Sequence, residues 1–292
     1  MKTISCFQIK GGVGKSFLVV QLGSMLADMG KRVLVIDTDV QSTLTHRLLP
    51  GHEGTAIRPS LRDVFDHQSS LPAAVRSVRD NLSIVPCDIR MDGLDEDLEF
   101  RRRQHLALRE VLREVAESFD VCLIDLPGRM CPTSRAGLWA SDGFLLPINP
   151  NAESVMTART TMAGLERIMN PAPLLGVVCN GWRNTALAGA VERQARQHWR
   201  GMVFATTIGY RESLQKMALA GQTAADRPKS AAYEEFLQLS REVLKAVSRE
   251  EKSSSTPPAA GKKPLVRAAR RHVQPVAGKR VAPKGAAKKS KK

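Results

Sequence analysis

Seven consecutive residues, Lys10-Gly11-Gly12-Val13-Gly14-Lys15-Ser16, have the types and spacing needed to hold a phosphate chain. The glycines let the backbone curl tightly and turn N–H groups inward onto phosphate oxygens. Lys15 supplies a point charge for terminal phosphates, and the Ser16 hydroxyl can ligate Mg²⁺. The ordinary pattern GxxxxGK[ST] would put its first glycine at position 9, which is Ile9. The form that fits is KGGxGK[ST], with an extra lysine, Lys10, at the start of the loop. Two acidic segments can join it: Asp37-Thr38-Asp39-Val40-Gln41 and Asp125-Leu126-Pro127-Gly128. Asp37 and Asp39 are two residues apart, so in an extended chain both face the same side.

The surrounding pattern supplies the elements that must position these groups. The apolar-rich segment Ile4–Ile9 precedes the loop, and a helix-like segment from Ser16 to about Met29 follows it. This is the strand–loop–helix context of a phosphate loop, and the helix adds the positive end of its dipole. Val33–Ile36 runs into Asp37, and Val121–Ile124 ends in Asp125. Strands are predicted at 3–9, 33–37, 82–86, 121–125, 143–147 and 174–180, with a short one near 203–208. A helix at about 102–119 should bury Leu108, Val111, Leu112, Val115, Ala116 and Phe119. A second, at about 231–248, should bury Tyr233, Phe236, Leu237, Ser240, Val243, Leu244 and Val247. Residues 50–60 read as a loop. The alternation predicts an α/β fold, a mostly parallel twisted sheet with helices on both faces. Ligands of such sheets bind beyond the carboxyl ends of the strands, so Lys15, Asp39 and Asp125 can converge on one nucleotide.

On these residues the chain resembles the ParA/MinD family of deviant Walker A P-loop ATPases, most closely the small Soj-like partition ATPases, over roughly residues 2–248. Asp37–Gln41 is similar to the family's DxDxQ switch I, and Asp125–Gly128 to its Walker B and switch II segment. The departures are Phe17 for a common threonine, Val40 for a common proline, and Gly128 for proline or alanine. The resemblance implies ATP and Mg²⁺ as cofactors, with Gly11, Gly12, Val13, Gly14, Lys15, Ser16 and Phe17 around the phosphates. It implies that Asp39 positions or activates the attacking water. Asp37 and Asp125, with Ser16, would hold Mg²⁺ through its water shell, since Mg²⁺ dehydrates reluctantly. The alternative for any of these acids is a helix or turn cap. It implies that Lys10 reaches the ATP of a second subunit in a homodimer; the alternative is a solvated surface lysine. It places Asn180 at the adenine base, the alternative being a turn-forming asparagine before Gly181. Arg183, Arg200 and Arg211 fall where family dimers present arginines to DNA, or are solvated surface charge.

The formal net charge of +15 is concentrated at one end. Residues 252–292 hold 13 of the 44 Lys+Arg and no acid, which leaves 31 basic residues against 29 acidic ones elsewhere. The expected organisation is an ATPase domain over 1–250 and a disordered, basic, Pro/Ala-rich tail over 251–292. Such a tail suits nonspecific binding to phosphate backbones. An anionic membrane is the weaker alternative, because prolines at 257, 258, 264, 275 and 283 break helices.

No apolar run of 18 residues occurs, so no transmembrane helix is expected. The phosphate loop lies too near the start for a signal peptide, and a cytoplasmic, nucleoid-associated protein is expected. The five cysteines include no CxxC pair, and Cys6, Cys122 and Cys179 should be buried in strands. The expected function is slow ATP hydrolysis, accelerated by a ParB-like or other partner. ATP would drive dimerisation and nonspecific DNA binding, and hydrolysis would release the DNA, so positioning a plasmid, chromosome region or protein cargo. The alternative is a nucleotide-switched DNA- or membrane-bound scaffold in which turnover is incidental.

Overall fold

Three apolar strands, each ending where a chemical motif begins, form the centre of the sheet. The computed structural model describes residues 1–51, 57–168 and 171–255. The chain starts with β1 (Lys2–Cys6), α1 (Lys15–Asp28), β2 (Val33–Asp37), α2 (Thr43–Leu48), α3 (Leu61–Phe65) and α4 (Leu71–Ala74). It continues through β3 (Arg76–Arg79), β4 (Leu82–Val85), α5 (Leu98–Leu112), β5 (Val121–Asp125), α6 (Pro132–Ala140) and β6 (Gly143–Ile148). The last described part holds α7 (Ser154–Leu165), β7 (Leu174–Trp182), α8 (Ala186–His198), β8 (Val203–Gly209), α9 (Glu212–Leu219) and α10 (Ala231–Ser255).

The strands form one eight-stranded sheet in the order β3-β4-β2-β5-β1-β6-β7-β8. Every pairing is parallel except β3 with β4. The α/β expectation therefore holds. The central strands alternate their side chains between two cores. Leu34 and Ile36 join one core, covered by Leu108 and Leu112 of α5, Val155 and Ala158 of α7, and Val191 of α8. Val33 and Val35 join the other, with Leu18 and Met25 of α1 and Phe236, Leu239 and Val243 of α10. Burial on both faces explains why these strands read as near-continuous apolar runs.

The structure corrects several expected boundaries. The strand expected at 3–9 ends at Cys6, because the chain must curl into the phosphate loop. The helix expected at 102–119 starts earlier, at Leu98, where the Asp97 carboxylate accepts the N–H groups of Glu99 and Phe100. It stops at Leu112, so Ala116 and Phe119 lie beyond it, and Phe119 packs on the core from outside the helix. β3 has no counterpart among the expected strands. Its sequence, Arg-Ser-Val-Arg, is polar, as suits a sheet edge. α10 continues through Ser255, past the boundary expected at 250. The tail expectation from 256 onward, and residues 52–56 of the expected loop, lie outside the described residues. All five cysteines are buried and unpaired.

Candidate nucleotide site

The phosphate loop joins β1 to α1, and its shape depends on close packing against β7. Gly14 caps α1 with φ 89°, in the left-handed region. A Cβ there would sit 2.2 Å from Asn180 Nδ2. That amide donates to the Val13 carbonyl at 2.9 Å. Asn180 thus braces the loop from its place near the end of β7, and its Oδ1 is buried without a hydrogen-bond partner. The N–H groups of Lys15, Ser16 and Phe17 open α1 and have no partner within the helix, so they remain available to an anion. Phe17 turns its ring to α10, edge-on to Phe236 at 5.9 Å between centroids. Only its backbone can serve a phosphate.

The two loop lysines point to different places. Lys15 is buried, and a Cβ on Gly128 would lie 3.1 Å from its Nζ. The glycine that departs from the family pattern therefore makes room for the lysine ammonium. Lys10 turns away, its Nζ donating to Asn151 Oδ1 at 3.2 Å and pairing with Glu153 at 3.6 Å.

The acidic residues separate into different roles. Asp37 and Asp125 are fully buried register partners on β2 and β5. Asp37 Oδ2 accepts from the N–H and the hydroxyl of Thr45, at 2.8 and 2.7 Å, and its Oδ1 accepts the Asp39 N–H at 3.1 Å. Asp37 thus holds the start of α2 and the switch I backbone, which is the capping alternative left open by the sequence. Both oxygens of Asp125 are buried with no hydrogen-bond partner. Burial, and then the neighbouring Asp37, raise the Asp125 carboxyl, while Ser16 and Lys15 draw it down. Burial also raises Asp37, against the Thr45 donors. An orphaned, buried carboxylate beside Ser16 fits a hydrated divalent cation, whose charge would offset its desolvation. Among the described residues no three His, Cys, Asp or Glu side chains form a metal cage.

Asp39 is half-buried and accepts the Gln41 N–H at 3.1 Å. With Thr38, Val40 and Gln41 it lines one wall of a cleft of about 270 Å³, and Pro127, Gly128 and Arg129 line the other. The Thr38 hydroxyl donates to the Asp125 carbonyl at 2.6 Å and ties the two walls together. Met91, Asp95 and Thr133 complete the lining. Arg129 directly follows the motif and was open to notice in the sequence. Asp95, far off in a polar stretch, carried no signal. Of the arginines expected to meet DNA, Arg211 makes a bidentate pair with Glu235 at 2.6 and 2.7 Å. Arg183 lies over the Tyr210 ring at 3.9 Å, and Arg200 is exposed at the end of α8.

A parallel sheet with a glycine-rich loop after β1, a buried lysine and serine at α1, and acids at the ends of β2 and β5 defines a P-loop nucleotide-binding protein. A family model described as an AAA domain matches residues 1–172. The chromosome-partitioning ATPase Soj of Thermus thermophilus is 30% identical over 255 residues, covering 85% of this chain and 97% of that protein. A virulence plasmid ParA family protein of Chlamydia psittaci is 27% identical, covering 86% and 98%. Apo McdA of Cyanothece superposes with a TM-score of 0.74 at 24% identity, covering 84% of this chain and 99% of that one. With its second lysine, Lys10, the chain belongs to the ParA/MinD family of deviant Walker A P-loop ATPases. Members of this family hydrolyse ATP, with ATP and Mg²⁺ as cofactors.

Proposed function

We propose that this chain is a partition or positioning ATPase. ATP drives its dimerisation, the dimer binds DNA nonspecifically, and hydrolysis releases the DNA, a cycle that positions a plasmid, chromosome region or protein cargo. The observation that carries this reading is the divergence of the two lysines. Lys15 is buried at its own phosphate site, whereas Lys10 is directed to Asn151 and Glu153 beyond β6. Two nucleotides brought face to face place several negative charges across one interface, and a lysine supplied by each subunit offsets them. The related partition and ParA proteins of Thermus and Chlamydia support cargo positioning as the output.

In this reading Lys15 and the open N–H groups of α1 hold the phosphates. Ser16 and Asp125 would hold Mg²⁺, which supplies charge neutralisation at the transferring phosphoryl group. Asp39 orients water from the cleft wall, and Asp37 keeps switch I in place through Thr45. DNA association falls to the basic residues after 252 and to Arg183 and Arg200, with Arg211 available only if it leaves Glu235. A nucleoid-associated protein stimulated by a ParB-like partner follows from this. Among the described residues no helix is long and apolar enough to cross a membrane.

Phosphate release measured with ATP alone, with random-sequence DNA, and with DNA plus the candidate partner tests this function. Slow basal turnover raised by DNA and partner together supports it. Turnover that responds to neither, on a chain that stays monomeric with ATP, contradicts it.

A further inference from the structure

Among the described residues Arg129 is the one basic side chain lining the cleft between the two switch segments, and it is held by a carboxylate outside both. Its Nη2 donates to Asp95 Oδ2 at 2.9 Å. Asp95 is itself fixed from the other side, since Oδ1 accepts from the Thr133 N–H at 2.8 Å and the Thr133 hydroxyl at 2.6 Å. The two carboxylate oxygens thus have separate tasks: one anchors the first turn of α6, the other restrains Arg129. Burial raises the Asp95 carboxyl, but the Thr133 donors, Cys131 and Arg129 together bring it below the ordinary carboxylate range. It is therefore a charged partner throughout the neutral range.

The position of Arg129 in the chain is what gives this pair consequence. The preceding residue, Gly128, lies against the Lys15 ammonium, where the terminal phosphates bind. The Arg129 side chain remains 60% exposed, whereas Asp95 is only 16% exposed. Arg129 is free to swing, and Asp95 is not. A guanidinium forks onto a phosphate as readily as onto a carboxylate.

We propose that Arg129 is a specificity-determining residue that recognises the γ-phosphate, exchanging Asp95 for the phosphate when a nucleoside triphosphate enters. A diphosphate leaves nothing for Arg129 to reach, so the Asp95 pair persists. The exchange links the presence of the third phosphate to the arrangement of switch II and the start of α6. This inference rests on the reading that ATP and Mg²⁺ occupy the phosphate loop.

Calorimetric titration of the full chain with Mg²⁺ and either a non-hydrolysable ATP analogue or ADP tests it. Arg129→Ala should weaken the triphosphate about tenfold, the scale of one exposed charge-assisted hydrogen-bonded pair, and leave ADP within about twofold. Arg129→Lys keeps the charge without the fork and should fall between wild type and Arg129→Ala. Asp95→Asn preserves an oxygen acceptor for Thr133 but turns a donor toward Arg129. It should strengthen triphosphate binding several-fold with ADP unchanged. Equal losses for both nucleotides in Arg129→Ala, or no loss for either, would overturn the proposal. So would an Asp95→Asn chain that keeps the wild-type preference. Failure of the wild type to bind either nucleotide would instead overturn the site reading beneath it, while intact wild-type binding isolates the test to Arg129. Circular dichroism melts of each variant separate a folding defect from a change in preference.

Discussion

Asp37 and Asp125 are register partners on adjacent parallel strands, and neither carboxylate reaches solvent. Neighbouring strands run about 4.8 Å apart, so two charges are held close together in a dry site. Burial raises both carboxyls above the ordinary range, and the neighbouring Asp37 raises Asp125 further. A raised carboxyl stabilises the folded chain fully below its unfolded value and loses that contribution as pH rises through its folded value. The nucleotide- and Mg²⁺-free chain should therefore melt several degrees lower at about pH 8 than at about pH 5 on account of this pair. Asp125→Asn removes one charge and should flatten that slope, raising the melting temperature at the alkaline end. Thermal melts of both proteins in a chelator across this range check it. Parallel slopes would mean that the pair is not electrostatically stressed.

Gly14→Ala should damage the loop through two separate effects. The left-handed φ of 89° costs a side-chain-bearing residue about 1–2 kcal/mol. The new methyl must also displace the Asn180 amide, 2.2 Å from the ideal Cβ, and break its bond to Val13. Asn180→Ala removes the second effect. The double variant should then lose less stability than the sum of the singles, by about 1 kcal/mol. Denaturant melts of all four proteins give the coupling. Simple additivity would show that Asn180 does not brace the loop.

Asp39→Ala should retain ATP and dimerise but hydrolyse at least about a hundredfold more slowly, because water loses its positioning group while the phosphate contacts survive. Phosphate release alongside sizing checks both halves. Wild-type turnover would move the catalytic role to another residue.

The phosphate loop and its three acids were legible because each lies in an unbroken run of residues bounded by an apolar strand. Arithmetic on such runs places Lys15, Asp39 and Asp125 at one end of the sheet. Task division among the acids was not legible. Thr45 holds Asp37 from α2, and no local pattern shows that Asp37 is satisfied while Asp125 is orphaned. Asn180 and Val13 are distant in sequence, and Asp95 and Arg129 meet only through the fold. β3 escaped because its edge position requires no apolar pattern. Leu239, fully buried on α10, was omitted from a stripe read too narrowly around Phe236. The pairing of Arg211 with Glu235 was hidden in the same way, since it cannot be seen from the arginine alone.

Because α10 continues through Ser255, a clean truncation begins at 256. Removing 256–292 should weaken binding to random-sequence DNA and reduce its salt dependence while leaving basal ATP hydrolysis intact. If half of the basic residues in this end of the chain contact phosphates, the salt slope should drop by about 5–6. Binding curves at several salt concentrations measure this. Identical slopes would assign the basic segment to another partner.

In the proposed cycle ATP joins two copies of this chain through Lys10. Light scattering of Lys10→Ala with Mg²⁺ and ATP, beside calorimetric ATP affinity at concentrations where the wild type is monomeric, tests it most directly. Near-normal affinity, no dimer and no stimulated hydrolysis are the expected outcome. A Lys10→Ala chain that dimerises with ATP as the wild type does would contradict it, leaving Lys10 as a surface lysine paired with Asn151 and Glu153.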